Sequence, residues 1–361
     1  MNAVGSPYLP DPEKFHGYLN RIYETGRLSN NGPLVRELEE RLQDFLGIRN
    51  LLLVANGTLA LQVALKALNV RHEAVTTPFT FIATSAALCN EGVTPRFADI
   101  DPESLNLSPE RIRGHAGPGT SALVPVHVYG NPCDVEEIER IAANRDLAVI
   151  YDAAHAFGID YDGNSILRWG DASVLSFHAT KLFHTGEGGG IVFWDDQALE
   201  RARSLINFGL DPGNGEIKEI GLNAKMSELH AAMGLAVLED LPDILAARKE
   251  VLETYERELQ GWVEFQEWGP KASKNGAYAP ILLSDVSERK RVEKYLSGNG
   301  IACRPYFSPA LHETSPLRTG TDLPNATAQA GRALCLPISP GLSRTRVKSI
   351  CDRIKTVLSN E

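Results

Sequence analysis

The sequence predicts an α/β protein built on a mostly parallel β-sheet, followed by a smaller C-terminal α/β domain. Short apolar segments that suit strands alternate with helical stretches along the first part of the chain, and this order of elements produces parallel sheets. The chain has 361 residues, which is too long for one minimal domain and suits two domains, or one large domain with an appendage. Its composition, 43% apolar and 23% charged, is ordinary for a globular enzyme. Intrinsic disorder and low-complexity architectures are therefore not expected.

The first elements follow from the spacing of the apolar residues. Leucines recur at helical spacing between residues 33 and 46 and predict a helix there. Residues 51–55 are apolar and short, which predicts a strand. The stretch 59–68 is apolar nearly all round, so it is predicted to be a buried helix.

The rest of the sheet is predicted from further short apolar segments. A helix is predicted over residues 134–144. Two later strands, 172–176 and 190–194, are separated by a polar turn with no room for a helix, so we expect a local antiparallel or irregular pair. The remaining predicted strands are 74–77, 96–100, 122–126 and 147–151.

The pattern of predicted elements changes after about residue 227. A long helical stretch is predicted over residues 227–258, with Pro242 as its main breaker. The elements predicted after it are a strand at 279–283, a helix at 288–296, a segment at 301–306 and a final helix at 345–358. We interpret this part as a separate unit, so the predicted domains are residues 1–240 and 241–361.

Charge and cysteine content narrow the class of function. Acidic side chains outnumber basic ones by 46 to 36, and a nucleic-acid-binding protein would usually be basic. A small anionic substrate is not excluded, because one local cluster of cations and N–H groups can hold a phosphate. The five cysteines are widely spaced and include no C-x-x-C pair, which fits neither a disulfide framework nor a zinc ribbon.

These features predict a cytoplasmic protein. A reducing compartment is the simplest interpretation of unpaired, widely spaced cysteines. Residues 1–14 carry proline and aspartate and have no apolar core, so no secretory signal is expected. No apolar run is long enough to predict a membrane span.

The most informative segment is residues 176–190, which contains Lys181. This lysine follows a predicted strand and precedes four glycines. A glycine-flanked loop can hold a lysine close to a cofactor and still let its amine move between two carbons. An isolated lysine is more often a solvated surface residue, so three further features decide its interpretation.

Asp152 is the first of these features. It directly follows the predicted strand 147–151, at the end of a parallel strand where ligands bind in open sheets. A carboxylate there can face a ring nitrogen and keep it protonated. The simpler alternative is that Asp152 caps a helix, a frequent role for aspartate.

The other two features are a candidate phosphate site and a candidate stacking residue. Asn56, Gly57 and Thr58 lie between a strand and the buried helix, where free N–H groups and the helix dipole suit a phosphate. A helix capped by Thr58 would be the simpler explanation. Aromatic residues at 79 and 81 follow another strand and could stack on a flat ring, although core packing is their default role.

Together these features supply what a pyridoxal 5′-phosphate (PLP) enzyme needs. They are a phosphate cradle, a stacking aromatic ring, an acid for the pyridine nitrogen and a lysine for a Schiff base. The chain resembles the DegT/DnrJ/StrS family of sugar-nucleotide aminotransferases. The resemblance runs almost end to end and is carried by residues 31–33, 56–58, 77–81, 125–130, 152–155, 176–181, 186–189, 221–226 and 300–304.

The resemblance implies the PLP-dependent transferase fold type I, with helices on both faces of the large sheet. It also implies a catalytic set of Lys181, Asp152 and His155, with Lys181 forming the Schiff base and Asp152 pairing with the pyridinium nitrogen. His155 would approach the ring hydroxyl, although many relatives have glutamine there. The further cofactor-binding residues implied are Phe81, which stacks on the ring, and Gly57, Thr58, Ser176 and Asn223, which hold the phosphate.

Asn223 differs from the other residues of this set, because the resemblance implies that it acts from the neighbouring subunit of a homodimer. The alternative is that it caps the helix that follows. His178 and His184 flank Lys181, but no third ligand for a metal is apparent, so no metal site is expected. His312 and Tyr306 resemble a family segment near the substrate, with packing as the default role.

The predicted activity is transfer of an amino group from L-glutamate to a keto sugar nucleotide. The segments 151–158 and 176–184 resemble the branch that converts dTDP-4-keto-6-deoxy-D-glucose to dTDP-4-amino-4,6-dideoxy-D-glucose. A 3-keto or UDP-linked sugar is the nearest alternative. A non-catalytic sensor with the same fold is a further alternative, which an intact Lys181 disfavours.

Overall fold

The computed structural model describes residues 6–211 and 213–359. Its strands are β1 (Leu51–Val54), β2 (Glu73–Thr76), β3 (Thr94–Phe97), β4 (Thr120–Val124), β5 (Ala148–Asp152), β6 (Asp160–Tyr161), β7 (Asn164–Ser165), β8 (Ala172–Ser176), β9 (Gly189–Phe193), β10 (Pro280–Leu282) and β11 (Ala333–Cys335). Its α-helices are α1 (Pro12–Thr25), α2 (Pro33–Leu46), α3 (Gly57–Ala67), α4 (Ile82–Asn90), α5 (Pro109–His115), α6 (Val135–Ala143), α7 (Asp196–Leu205), α8 (Glu228–Glu239), α9 (Leu241–Leu259), α10 (Val286–Gly298), α11 (Pro324–Arg332) and α12 (Arg344–Ser359).

The main sheet has seven strands in the order β1-β9-β8-β5-β4-β2-β3. Strand β9 runs antiparallel to both of its neighbours, and the pairs from β8 to β3 are parallel. This confirms a mostly parallel sheet with a local antiparallel pair at residues 172–176 and 189–193. Because β8 and β9 are joined without a crossover helix, β9 can only return antiparallel.

Two apolar cores cover the two faces of this sheet. Leu51 and Leu53 of β1 belong to the core that contains α2, α6 and α8. Leu52 and Val54 point the other way, into the core that contains α3, α4 and α7. The alternation follows from the twofold side-chain period of a strand, and continuous apolar strands are expected where both faces are buried. Helices therefore cover both faces, and the predicted burial of α3 is confirmed.

The predicted single helix over residues 227–258 is wrong. The structure has two helices, α8 and α9, which meet at Asp240. Pro242 lies in the first turn of α9, where its missing N–H has no helical partner to lose, so it begins a helix instead of interrupting one. The segment 301–306 forms no strand of its own; Arg304 makes an isolated bridge with Cys335, and the second C-terminal strand is β11.

The C-terminal elements have an apolar core of their own. Strands β10 and β11 pair antiparallel, and α9 packs on α12. Ile244, near the start of α9, belongs to a core of the large sheet, whereas Val251 and later residues of α9 belong to the C-terminal core. The division into residues 1–240 and 241–361 remains a proposal. Within the described residues, no helix is both long enough and apolar enough to cross a membrane.

Candidate active site

A cavity of about 340 Å³ lies at the carboxyl ends of the parallel strands, where loops after β1, β2, β4, β5 and β8 converge. Residues 278, 306 and 307 from the C-terminal part of the chain close it on another side. Seven of the eight residues predicted to form the site line this cavity: Gly57, Thr58, Phe81, Asp152, His155, Ser176 and Lys181. The structure therefore brings together segments that are more than a hundred residues apart in the chain.

Asp152 is the last residue of β5 and is buried. Its carboxylate accepts hydrogen bonds from the Thr84 hydroxyl (2.7 Å) and from the Ala154 N–H (3.1 Å). Burial raises the pKa of Asp152, whereas these two hydrogen bonds and the nearby Lys181 act in the opposite direction. A cation placed beside this carboxylate would relieve the cost of its burial.

The Lys181 side chain extends into the cavity from a turn in which its N–H bonds to the His178 carbonyl. Its amine lies 3.4 Å from the hydroxyl of Tyr278. Burial lowers the pKa of Lys181 to about 8, although Asp152 and Tyr306 oppose the shift. A lysine with such a pKa has a useful neutral fraction near neutral pH, and the neutral amine is the nucleophile.

The start of helix α3 forms the candidate phosphate cradle. Asn56 caps the helix by accepting a hydrogen bond from the Leu59 N–H (2.8 Å), so the proposed capping role of Thr58 is wrong. A side chain at Gly57 would meet the Ser176 Cβ at 3.0 Å, and one at Gly189 would meet the Asn56 carbonyl carbon at 2.7 Å. These glycines let the helix N-terminus, which favours anions, lie directly against the end of β8.

His155 is buried and its protonation state is set by its surroundings. Its Nδ1 accepts a hydrogen bond from the Tyr129 N–H (3.2 Å), which leaves the proton on Nε2. Burial is the main reason that its pKa lies well below the usual value, and Lys181 and His127 add to the shift. His155 is therefore a neutral hydrogen-bond donor beside the cavity.

Phe81 borders the cavity and is 57% exposed. It precedes the first residue of α4. An aromatic ring with this exposure has a free face, so Phe81 is available to stack on a flat ligand.

Asn223 is the predicted site residue that this cavity does not include. It is exposed, and its side-chain oxygen accepts a hydrogen bond from the Lys225 amine (2.8 Å). The alternative that Asn223 caps the following helix is wrong, because Ser227 caps α8. The position of Asn223 outside the cavity is compatible with a role in another subunit.

The structure also adds residues that the sequence did not single out. Tyr278 contacts the amine of Lys181, and Thr84 bonds the Asp152 carboxylate. Neither residue belongs to a local pattern that would have identified it. Tyr306 lines the cavity, whereas His312 is a buried residue that bonds Thr327 (3.2 Å).

The two histidines beside Lys181 have different surroundings. His184 is buried, and its Nε2 bonds the carbonyl of Tyr8 (2.7 Å) while its Nδ1 accepts from the Gly186 N–H (3.2 Å). Both ring nitrogens of His184 are therefore used in packing the loop. His178 lines the cavity and lies 3.7 Å from the Glu187 carboxylate. No group of three metal-ligating side chains occurs in the part of the chain that the structure describes.

The residues present fit PLP. Asp152 suits a protonated ring nitrogen, the Lys181 amine suits the aldehyde carbon and the start of α3 suits the phosphate. The glycine at position 57 supports the fit, because a side chain there would fill the cradle. A large mostly parallel sheet with this set at its carboxyl edge defines a PLP-dependent transferase of fold type I.

The chain belongs to the DegT/DnrJ/EryC1/StrS aminotransferase family, whose sequence model matches residues 11–355. It is 42% identical to a dTDP-4-amino-4,6-dideoxy-D-glucose transaminase of Shigella dysenteriae over 98% of both chains. It is 37% identical to a transaminase of the same name from Escherichia coli over 96% of both chains. The structure of DesI solved in the presence of its TDP-sugar product is similar, with a TM-score of 0.94 and 34% identity over 100% of this chain and 94% of that one.

Proposed function

We propose that this aminotransferase moves the amino group of L-glutamate to C4 of dTDP-4-keto-6-deoxy-D-glucose and makes dTDP-4-amino-4,6-dideoxy-D-glucose. The observation that carries the proposal is the 42% identity, over nearly the whole length of both chains, with a transaminase named for that product. The cavity supports it, because Lys181, Asp152 and the start of α3 face one space. The choice of glutamate as donor rests on family resemblance.

Each proposed role follows from a contact in the cavity. PLP, when bound, supplies an electron sink for the carbanion that forms at the donor Cα. Asp152 would hold a proton on the ring nitrogen, and His155 would donate from Nε2 to the ring oxygen. Phe81 would cover one face of the ring, and Gly57, Thr58 and Ser176 would bind the phosphate.

Lys181 would have two tasks. It would first hold the cofactor covalently, and its released amine would then carry a proton from the donor Cα to C4′ of the cofactor. The lowered pKa of Lys181, about 8, lets the amine both accept and release a proton near neutral pH. The amino sugar forms by the same proton transfer in reverse.

The substrate is tested by incubating the holoenzyme with glutamate and a panel of dTDP-, UDP- and GDP-linked keto sugars. We expect dTDP-4-keto-6-deoxy-D-glucose to give an amino sugar, with NMR locating the amine on C4. Preferred amination of a UDP-linked or 3-keto sugar would contradict the proposed substrate while leaving the aminotransferase class intact. A failure to convert any sugar, with no loss of the visible absorbance on adding glutamate, would favour a sensor.

We also propose that the active sites are shared between the subunits of a homodimer. Asn223 is exposed, and the same stretch of chain exposes Phe208 (53%), Ile217 (73%) and Ile220 (81%). Exposed apolar side chains close together are typical of a surface that binds a partner. A second copy would cover them and would place the Asn223 amide at the cofactor phosphate of the first.

Mixing two impaired variants tests the shared site. Lys181→Ala and Asn223→Ala subunits should form a hybrid dimer in which one site has both defects and the other has neither. We therefore expect activity to recover on mixing, in proportion to the amount of hybrid dimer that native mass spectrometry detects. Mixing Lys181→Ala with Asp152→Asn is the matched control. Both residues act in the cavity of their own chain, so each site of the hybrid dimer keeps one defect and no recovery is expected. Equal behaviour of the two mixtures would exclude sharing through Asn223.

The proposed location is the cytoplasm. The five cysteines are all free thiols, and three of them are buried. Buried free thiols are compatible with a reducing compartment.

A further inference from the structure

Arg248 is a buried cation with an unusual set of partners. It lies in α9, is 2% exposed and has no carboxylate partner among the described residues. Its Nε donates to the carbonyl of Gly276 (3.0 Å) and its Nη2 to the carbonyl of Ala277 (3.1 Å). Burial lowers the pKa of Arg248 to about 10, so holding the charge there is costly. The free-energy cost of burying the Arg248 charge is explained if Arg248 has to keep residues 276 and 277 in place.

That segment is also held from the opposite side. The Asn275 side-chain nitrogen donates to the carbonyls of His155 (2.9 Å) and Phe157 (2.9 Å), and its oxygen accepts from the Ala277 N–H (2.9 Å). Gly276 has φ +67°, and a side chain there would lie 2.8 Å from the Arg248 carbonyl group. Residues 275–277 are therefore fixed between α9 and the loop that carries His155.

The next residue, Tyr278, forms the wall of the cavity beside Lys181. Its hydroxyl lies 3.4 Å from the Lys181 amine, and its ring centroid lies 5.7 Å from the same nitrogen. The ring also packs edge-on against His155, with centroids 4.6 Å apart. Burial raises the pKa of Tyr278, so its ring lies beside the amine without adding a charge.

We propose that Tyr278 keeps the Lys181 amine desolvated and that Arg248 is the positioning residue that fixes Tyr278 there. The inference rests on the proposed role of Lys181 and adds two residues from the C-terminal part of the chain to that site. The ionisable groups around the amine are Asp152 from β5, His155 from the following loop, and Tyr278 and Tyr306 from the C-terminal part. His178 and Glu187, from the loop after β8, line the same cavity. Asp152 and Tyr306 favour the protonated amine, as does the Tyr278 hydroxyl that accepts from it, so the lowered pKa of Lys181 comes from its burial.

The test measures the titration of Lys181 in holoenzyme loaded with pyridoxamine 5′-phosphate, the form in which this amine is free. Acetylation of Lys181 by acetic anhydride, quantified by peptide mass spectrometry across pH, reports the fraction of neutral amine. Arg248→Met should let Tyr278 move and water enter, so the profile should shift to higher pH by about one unit or more. Tyr278→Ala removes the wall directly and should shift the profile in the same direction, whereas Tyr278→Phe keeps the ring and should not shift the profile to higher pH.

Arg289→Met is the matched control. Arg289 is also buried (6% exposed) and also donates from Nε to a backbone carbonyl, that of Gly331 (3.1 Å), but it lies in α10. It should lower thermal stability without moving the Lys181 profile. If Arg248→Met does not fold, the comparison of Tyr278→Ala with Tyr278→Phe decides the question. A wild-type profile in folded Tyr278→Ala or Arg248→Met would overturn the inference, whereas attachment of the cofactor to another lysine would overturn the proposed function and leave the titration of Lys181 as the measure of the inference.

Discussion

Replacing Lys181 by alanine is expected to abolish multiple-turnover transamination. The variant would lose both the covalent hold on the cofactor and the amine that moves the proton, and positioned acid–base groups alone contribute about 10²–10⁴-fold. We therefore expect a fall in turnover of about 10⁴-fold or more. The visible absorbance of the lysine-bound cofactor should disappear as well. Steady-state kinetics and absorbance spectra measure the two effects.

Lys66→Ala is the control for the Lys181 variant. Lys66 lies in α3 and pairs with Glu91 (3.1 Å) outside the cavity, so its loss should change neither the spectrum nor the turnover. Circular dichroism and size-exclusion chromatography should show that Lys181→Ala keeps its fold and assembly. Normal turnover by a folded Lys181→Ala variant would remove Lys181 from the reaction.

Asp152→Asn should bind PLP but react slowly. An amide cannot hold a proton on the ring nitrogen by its charge, so the carbanion would lose its electron sink. Removing one preorganised electrostatic group of this kind costs about 10²–10³-fold in rate, and we expect a loss of that order in the half-reaction with glutamate. Stopped-flow absorbance measures this half-reaction without the sugar substrate.

Asp171→Asn is the control at the other end of β5. The Asp171 carboxylate accepts a hydrogen bond from the Val149 N–H (2.7 Å), far from the cavity, so its loss should affect stability and not rate. Equal half-reaction rates for Asp152→Asn and the wild type would leave Asp152 a purely structural residue.

Most of the sheet could be predicted from the sequence because most of its strands are short apolar runs buried on both faces. The edge strand β3 has exposed Thr94 and Arg96 and begins two residues before the predicted strand 96–100. Helices whose apolar residues do not recur with a clear period were harder to predict. The helix α4, for example, is rich in small residues and gives no clear apolar period over its length. The break between α8 and α9 depends on Pro242, which is as compatible with a helix start as with a helix interruption.

The cavity was predictable to the extent that its residues lie in local motifs. Asp152 and Ser176 end strands β5 and β8, Lys181 lies in the loop after β8, and the carboxyl ends of parallel strands share one edge of the sheet. Tyr278 and Arg248 could not be found in this way, because their positions depend on how the C-terminal part packs on the large sheet. No local sequence pattern specifies that packing.

The most direct test of the account is to locate the bond between the cofactor and the chain. Holoenzyme reduced with borohydride, digested and analysed by mass spectrometry should carry a phosphopyridoxyl group on the peptide that contains Lys181. Adding glutamate before the reduction should prevent the modification, because the amine is released when the amino group is transferred. A phosphopyridoxyl group on a different lysine, or a modification of Lys181 that glutamate does not prevent, would contradict the proposal that this cavity is the aminotransferase active site.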